Sequence, residues 1–159
     1  MNPLALEKAV VVFDMDGVLN KFDFGELGIK VIEEHEWAEA NMERDMYKYV
    51  EKTNLFDMLI NTKNPMDMYV ISQALTSFEQ NNKLAFLEEN YPNIRPEHVI
   101  FVGDTKFKID ILKGIRKMLD KEDKSYKDLV IIEDSIQVLI DVVKLGNPGI
   151  KCHLISDFI

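Results

Sequence analysis

The chain has 159 residues, 28 acidic against 19 basic, a formal charge of −9 and 47% hydrophobic residues. That hydrophobic share excludes intrinsic disorder, and the length fits one domain with a small insert, large enough to fold without disulfides. The acidic balance argues against a nucleic-acid polymer as partner, and the single cysteine, Cys152, excludes an internal disulfide and a multi-thiolate zinc site.

No apolar run reaches the ~18 residues of a membrane-spanning helix. Residues 1–8 lack a signal-peptide layout and lead directly into a short apolar run. The expectation is a cytoplasmic protein in a reducing compartment, with no membrane partner.

Residues 9–13 are apolar and β-branched in the middle, too short for a helix, and read as a buried strand. Asp14-Met15-Asp16-Gly17 ends it. Residues 24–52 change character. Leu27, Val31, Ile32, Trp37, Met42, Met46, Tyr49 and Val50 fall among charged residues at roughly helical spacing, which predicts one or two amphipathic helices. Residues 61–65 read as a loop.

Residues 68–71 form the second predicted strand, ending in Ser72. Residues 77–90 follow as a helix, capped by Ser77 or Thr76, with apolar positions at Phe78, Leu84, Phe86 and Leu87. Residues 99–102 are the third strand. A helix over 108–119 places Ile109, Leu112, Ile115 and Leu119 on one face. After a charged loop, residues 129–132 are the fourth strand, ended by Glu133-Asp134-Ser135. A helix over 135–145 stops at Gly146, and residues 152–155 make a short fifth strand. The eight methionines read as mostly core filler, and His35, His98 and His153 show no metal-ligand spacing.

Strands alternating with helices predict an α/β fold: a doubly wound, three-layer, Rossmann-like parallel sheet with a small helical insert after the first strand. The core then comprises residues 1–20 and 66–159, and the insert residues 21–65. In such sheets ligands bind beyond the C-terminal ends of the strands. Asp14, Asp16, Ser72, Glu133, Asp134 and a lysine (Lys106 or Lys108) would all converge on that edge. Carboxylates held together repel unless neutralised, and an oxygen-only ligand set favours Mg²⁺. A hydroxyl and an ammonium beside the ion can hold phosphate oxygens, so phosphoryl transfer fits. Asp14 would attack phosphorus, and Asp16, two residues on and pointing the same way, would serve as acid and base.

Each piece has a plainer structural use. Ser72 could cap a helix, and Glu133-Asp134-Ser135 could do the same for the next one. An EF-hand loop would put its glycine at position 6 after a helix, whereas Gly17 stands fourth after a strand. A phospho-receiver domain would carry its acceptor aspartate on the third strand, not the first. The joint order of all four sets favours catalysis.

These motifs resemble the haloacid dehalogenase superfamily. Its first motif stands here as Val11-Val12-Phe13-Asp14-Met15-Asp16-Gly17-Val18-Leu19, its second as Met68-Tyr69-Val70-Ile71-Ser72, and its fourth as Glu133-Asp134. For the third, Lys108 is preferred to Lys106 because an apolar helix pattern starts directly after it. The resemblance implies a Mg²⁺-dependent phosphatase. Asp14 is then the nucleophile and Asp16 the general acid/base, with Ser72 and Lys108 on the phosphoryl group. The metal would be held by Asp14, the Asp16 carbonyl, Asp134, and Glu133 directly or through water.

The layout is similar to the 5'(3')-deoxyribonucleotidases, which implies a small helical cap and a (deoxy)nucleoside monophosphate substrate. Phe22 falls where that family lines its base pocket, with Trp37 or Phe24 as a second wall; Gln73 joins Phe22, Ser72 and Lys108 among the substrate-binding candidates. The chain departs from that family in carrying Ser72-Gln73-Ala74 at the second motif, where Thr-Ser-Pro is frequent, and Glu133-Asp134 at the fourth, where Asp-Asp is frequent. A sugar phosphate or other small phosphomonoester is the alternative substrate, and a phosphate-binding regulatory protein the non-enzyme alternative. An exposed apolar face of the cap would be the surface for a homodimer.

Overall fold

The computed structural model describes residues 3–21 and 34–159. The expectations for Phe22, Phe24, Leu27, Val31 and Ile32 lie outside the described residues. Helix α1 (Pro3–Lys8) leads into strand β1 (Val10–Phe13). Helices α2 (Glu34–Glu43) and α3 (Asp57–Thr62) precede β2 (Met68–Gln73) and α4 (Ser77–Asn90). Then come β3 (Val99–Val102), α5 (Lys108–Lys121), β4 (Leu129–Glu133), α6 (Ile136–Leu145) and β5 (Ile150–Leu154).

The five strands form one all-parallel sheet in the order β3-β2-β1-β4-β5. This is a Rossmann-like α/β fold. The chain builds outward from β1 to β2 and β3, then returns to place β4 on β1's other side. The strand order therefore reverses between β1 and β4, where a cleft opens at the C-terminal edge.

Side chains along each strand alternate between two apolar layers. Val11, Phe13, Val70, Val130 and Ile132 face a cluster that includes Trp37, Met46, Tyr47, Phe56, Ile60, Phe86 and Leu87. Val10, Val12, Ile71, Leu129 and Ile131 face Leu112, Ile115 and Leu119 of α5 and Val138 and Val142 of α6. β1, β2 and β4 are buried on both faces, which explains why they read as continuous apolar runs rather than alternating ones, while the edge strands β3 and β5 are only partly buried.

Of the two caps expected for α4, Thr76 serves: its hydroxyl accepts from the Glu79 amide at 3.1 Å, while the Glu79 carboxylate reaches back to the Leu75 amide at 2.9 Å. Other local expectations are corrected. The buried face of α4 is Glu79, Lys83, Phe86 and Leu87, so Phe78 is exposed. Met42 and Tyr49 are also exposed: the inward stripe of α2 is Trp37 and Asn41, which turns Met42 outward, and Tyr49 follows the short turn at Met46–Lys48, after the helix has ended. Among the methionines, Met15, Met46 and Met68 are buried, but Met42, Met58, Met66 and Met118 are exposed. Helix α3 was not foreseen; Phe56 and Ile60, one turn apart, anchor it to the core. Helix α6 begins at Ile136, and Gly146 ends it with φ 65°, a left-handed conformation that suits glycine. Among the described residues, no helix is long and apolar enough to cross a membrane.

Candidate functional site

Parallel pairing of β1 with β4 aligns Phe13 with Ile132, so the residues that follow each strand emerge side by side. The Asp14 amide continues the ladder to the Ile132 carbonyl at 2.9 Å. Asp14, Glu133 and Asp134 thereby bring one carboxylate oxygen each within 4.8 Å of the others. Gly17 makes this approach possible. Its φ is 80°, and a Cβ there would stand 2.5 Å from Asp134 Oδ2, so only glycine fits without displacement.

Lys108, the first residue of α5, is 2% exposed and crosses to this cluster. Its ammonium donates to Asp14 Oδ1 at 2.9 Å and to Glu133 Oε1. Burial alone would lower the lysine pKa, but the Asp14 and Glu133 charges and their hydrogen bonds outweigh it and raise it. Lys106 is exposed, with its ammonium 5.1 Å from the Phe107 ring. Of the two lysines left open by the sequence, Lys108 is the one that reaches the carboxylates.

Glu133 is fully buried, and its Oε2 accepts from the Ser135 amide at 3.3 Å. Burial first, and then the Asp14 charge, push the Glu133 carboxyl above its ordinary range. The same two causes raise Asp134, which also shares a hydrogen bond with Asp14. Three carboxylates against one ammonium leave two negative charges uncompensated when all are ionised. Without a further cation such a cluster relieves its repulsion by holding protons. The all-oxygen donor set and its charge deficit fit a hard divalent cation.

Asp16 belongs to a different group. Its carboxylate accepts from the Tyr47 hydroxyl (2.8 Å to Oδ1 and 3.0 Å to Oδ2), from Asn20 Nδ2 at 2.9 Å and from Lys83 Nζ at 3.1 Å. Burial, and next the Asp16 charge, raise the Tyr47 phenol far above its ordinary value, so it stays protonated and donates. Lys83 is 1% exposed, and its ammonium also donates to Ser72 Oγ at 2.8 Å and to the Gln73 carbonyl.

The turn after Gly17 is held from outside. Asn20 Oδ1 accepts from the Gly17 amide at 3.1 Å, and the Tyr91 hydroxyl donates to the Leu19 carbonyl at 2.6 Å. Thr53 ties the same turn to the segment before α3, through its amide to Leu19 at 3.0 Å and its hydroxyl to Val18 at 2.7 Å.

A cleft of about 500 Å³ opens over these groups. Its walls include Asp14, Asp16, Ser72, Gln73, Lys108, Glu133 and Asp134. Every candidate site residue among the described residues therefore lies on one cavity; Phe22 is outside the described residues. Trp37 lines the cleft as well and packs edge-on against Tyr47 at 5.9 Å, so it serves both wall and core. The histidines stay away from this cavity: His98 stacks on Tyr69 at 4.2 Å, and His153 faces Asp157 at 3.5 Å. Cys152 is half-buried, and burial pushes its thiol up to about 12, which makes it a poor nucleophile.

Sequence reasoning missed Lys83, Tyr47 and Asn20. One signal for Lys83 was available: it follows Glu79 by four residues and precedes Leu87 by four, on the helix face that also holds Phe86. A lysine in the middle of an inward stripe is rarely buried without partners. Tyr47 carried no local signal, because its partner lies 31 residues away.

Compared with known proteins, the chain matches no protein-family model, and no curated protein sequence matches it.

Proposed function

We propose that the chain is a Mg²⁺-dependent phosphohydrolase of the haloacid dehalogenase type, acting on small phosphomonoesters through an aspartyl-phosphate. The observation that carries this conclusion is the convergence of Asp14, Glu133 and Asp134 within 4.8 Å at the point where the strand order reverses, with Lys108 bonded to Asp14.

Asp14 and Asp134 would hold the ion, with Glu133 directly or through water and the Asp16 carbonyl completing the protein's share. The ion supplies charge neutralisation for the phosphoryl oxygens. Lys108 holds the Asp14 carboxylate in place and offers positive charge to a phosphoryl oxygen. Ser72 offers a hydroxyl from the adjacent strand. A carboxylate oxygen of Asp14 attacks phosphorus, the P–O ester bond breaks, and the leaving oxygen takes a proton from Asp16. Water then attacks the aspartyl-phosphate and gives its proton to Asp16. Phosphate leaves, and Asp14 and Asp16 return to their starting forms.

Residues 21–65 are read as a small cap over the cleft. Trp37, from α2 in this segment, supports that reading because it lines the cavity. Gln73, Thr105 and Gln137 line the cleft with neutral polar groups, which suits an uncharged hydroxylated leaving group such as a nucleoside or sugar. A (deoxy)nucleoside monophosphate is the proposed substrate class, after the deoxyribonucleotidase resemblance. The alternative is a sugar phosphate.

The test is phosphate release from deoxynucleoside 5'- and 3'-monophosphates, ribonucleotides and sugar phosphates, with Mg²⁺ and with EDTA. Release that needs Mg²⁺ and disappears in Asp14→Asn is expected. No release from any ester by the folded, Mg²⁺-loaded protein would count against catalysis and favour a phosphate-binding role.

A further inference from the structure

We propose that Lys83 is a positioning residue that orients two groups of the site at once: it turns the Ser72 hydroxyl hydrogen toward the cleft and fixes the Asp16 carboxylate beside it. This rests on the phosphohydrolase reading, in which Ser72 holds the phosphoryl group and Asp16 moves the proton.

The geometry leaves Lys83 no freedom. An ammonium has three hydrogens and no acceptor. Here they meet Ser72 Oγ at 2.8 Å, the Gln73 carbonyl, and Asp16 Oδ2 at 3.1 Å. Glu79, one helical turn earlier on α4, lies 3.6 Å away and adds a second negative charge. Lys83 is as buried as the apolar core around it, so these contacts do not compete with bulk water.

The consequence for Ser72 follows from hydroxyl chemistry. A hydroxyl has one hydrogen and two lone pairs. Lys83 occupies a lone pair and cannot accept. The Ser72 hydrogen is thereby kept for another oxygen, and among the described residues no protein acceptor takes it. Ser72 lines the cleft, so the hydrogen is available to an oxygen that enters the cleft, such as that of a phosphoryl group. Without Lys83 that lone pair is released, and the hydroxyl loses the contact that fixes its direction.

The consequence for Asp16 is directional. Lys83 pulls on Oδ2 and Asn20 on Oδ1, while the Tyr47 hydroxyl bridges both. Tyr47 has a single hydrogen, so it donates to one oxygen at a time. Asp16 is held in orientation while one of its lone pairs stays open for the leaving group or water. Lys83 touches no reacting atom; it acts through Ser72 and Asp16.

The experiment is a double-mutant cycle on Lys83→Met and Ser72→Ala, read on two esters. One is 4-nitrophenyl phosphate, whose leaving group needs no proton. The other is an alkyl phosphate, whose leaving group does. Lys83→Met is expected to raise KM about tenfold on both esters, as Ser72→Ala does, with no further rise in the double variant. It is also expected to lower kcat/KM by about a further 10²-fold on the alkyl ester only, because kcat/KM ends at departure of the leaving group, whereas hydrolysis of the aspartyl-phosphate is common to both esters. Additive KM effects, or equal kcat/KM losses on the two esters, would overturn the proposal, since a merely structural lysine damages both alike.

Should Lys83→Met fail to fold by circular dichroism, Tyr47→Phe decides. It removes one hydroxyl from the same carboxylate and is expected to lower kcat/KM about tenfold on the alkyl ester while sparing kcat/KM on the aryl ester. Equal rates on both esters, matching wild type, would sink the positioning role. Failure of the underlying reading looks different: wild type itself then releases no phosphate from either ester with Mg²⁺, and the proposal falls with it.

Discussion

The two aspartates of Asp14-Met15-Asp16 stand two residues apart yet sit in opposite electrostatic settings. Asp14 belongs to a group of three carboxylates served by one ammonium, Lys108. Asp16 is met by Tyr47, Asn20 and Lys83, and its oxygens are well supplied with donors. The first group is short of positive charge and gains from a cation. The second is satisfied within the chain. A DxD sequence alone does not reveal this difference. It teaches that the ligand-binding half of a site is recognised by what it lacks, and the orienting half by what it already has.

The sharpest break of that contrast is Asp14→Asn. It removes the proposed nucleophile and is expected to cut phosphate release by about 10⁴-fold or more, with the circular dichroism spectrum unchanged. Asp16→Asn should instead leave a slow enzyme with phosphate trapped on Asp14, detectable by intact-protein mass. Full activity in either variant would refute the assignment of roles.

Next in size is the loss of the Lys108 cation. Lys108→Met leaves three carboxylates without an ammonium, and breaking such a buried pairing costs about 3–5 kcal/mol. A lower Tm is expected in EDTA at pH 8, with partial recovery in Mg²⁺. If Mg²⁺ restores nothing, the trio is not the cation site. Lys83→Met should gain no such recovery, because Asp16 and Glu79 lie outside the trio.

Gly17→Ala tests the close approach that assembles the trio. A Cβ at φ 80°, 2.5 Å from Asp134 Oδ2, must strain the turn or push Asp134 away. A destabilisation of about 1–3 kcal/mol is expected, together with weaker Mg²⁺ binding by titration calorimetry. Unchanged Mg²⁺ affinity would remove Asp134 from the ligand set.

The smallest effect is a pH dependence. Glu133 and Asp134 have carboxyl pKa values raised by burial and by Asp14. The native metal-free protein then binds more protons than the unfolded chain, starting above the ordinary carboxylate pKa of about 4. Its stability therefore falls as pH rises toward the raised values, and the full penalty applies above them. Bound Mg²⁺ displaces those protons, so the Tm gain from Mg²⁺ should grow between pH 6 and pH 8.5, by a few degrees at most (roughly 2–4 °C per kcal/mol at this size). A gain independent of pH would mean that the trio carries no protons to release.

Much of the first group was legible in the sequence. Short apolar runs marked β1, β2 and β4, because strands buried on both faces need no polar alternation, and the edge strand β3 was marked by its β-branched and aromatic residues. Each candidate residue lay directly at the end of such a run or the start of the next helix. Lys108 could be favoured over Lys106 because the apolar face of α5 begins at once behind it. The insert was read less well. Its helical spacing suggested buried positions at Met42 and Tyr49, yet Asn41 takes the inward place one turn after Trp37, and a tight turn beyond α2 carries Met46 and Tyr47 inward.

The sequence by itself determined the alternating α/β order and the edge on which Asp14, Ser72, Lys108, Glu133 and Asp134 gather, because these follow from local periodicity and from the single direction of parallel strands. Only the tertiary structure decided the company of Asp16. Lys83 and Tyr47 reach it across 67 and 31 residues of chain, so neither pairing leaves a local trace in the sequence. Periodicity reports which face of a helix is buried; which polar atoms meet there depends on how separate elements pack, and that is set only when the sheet has closed over both.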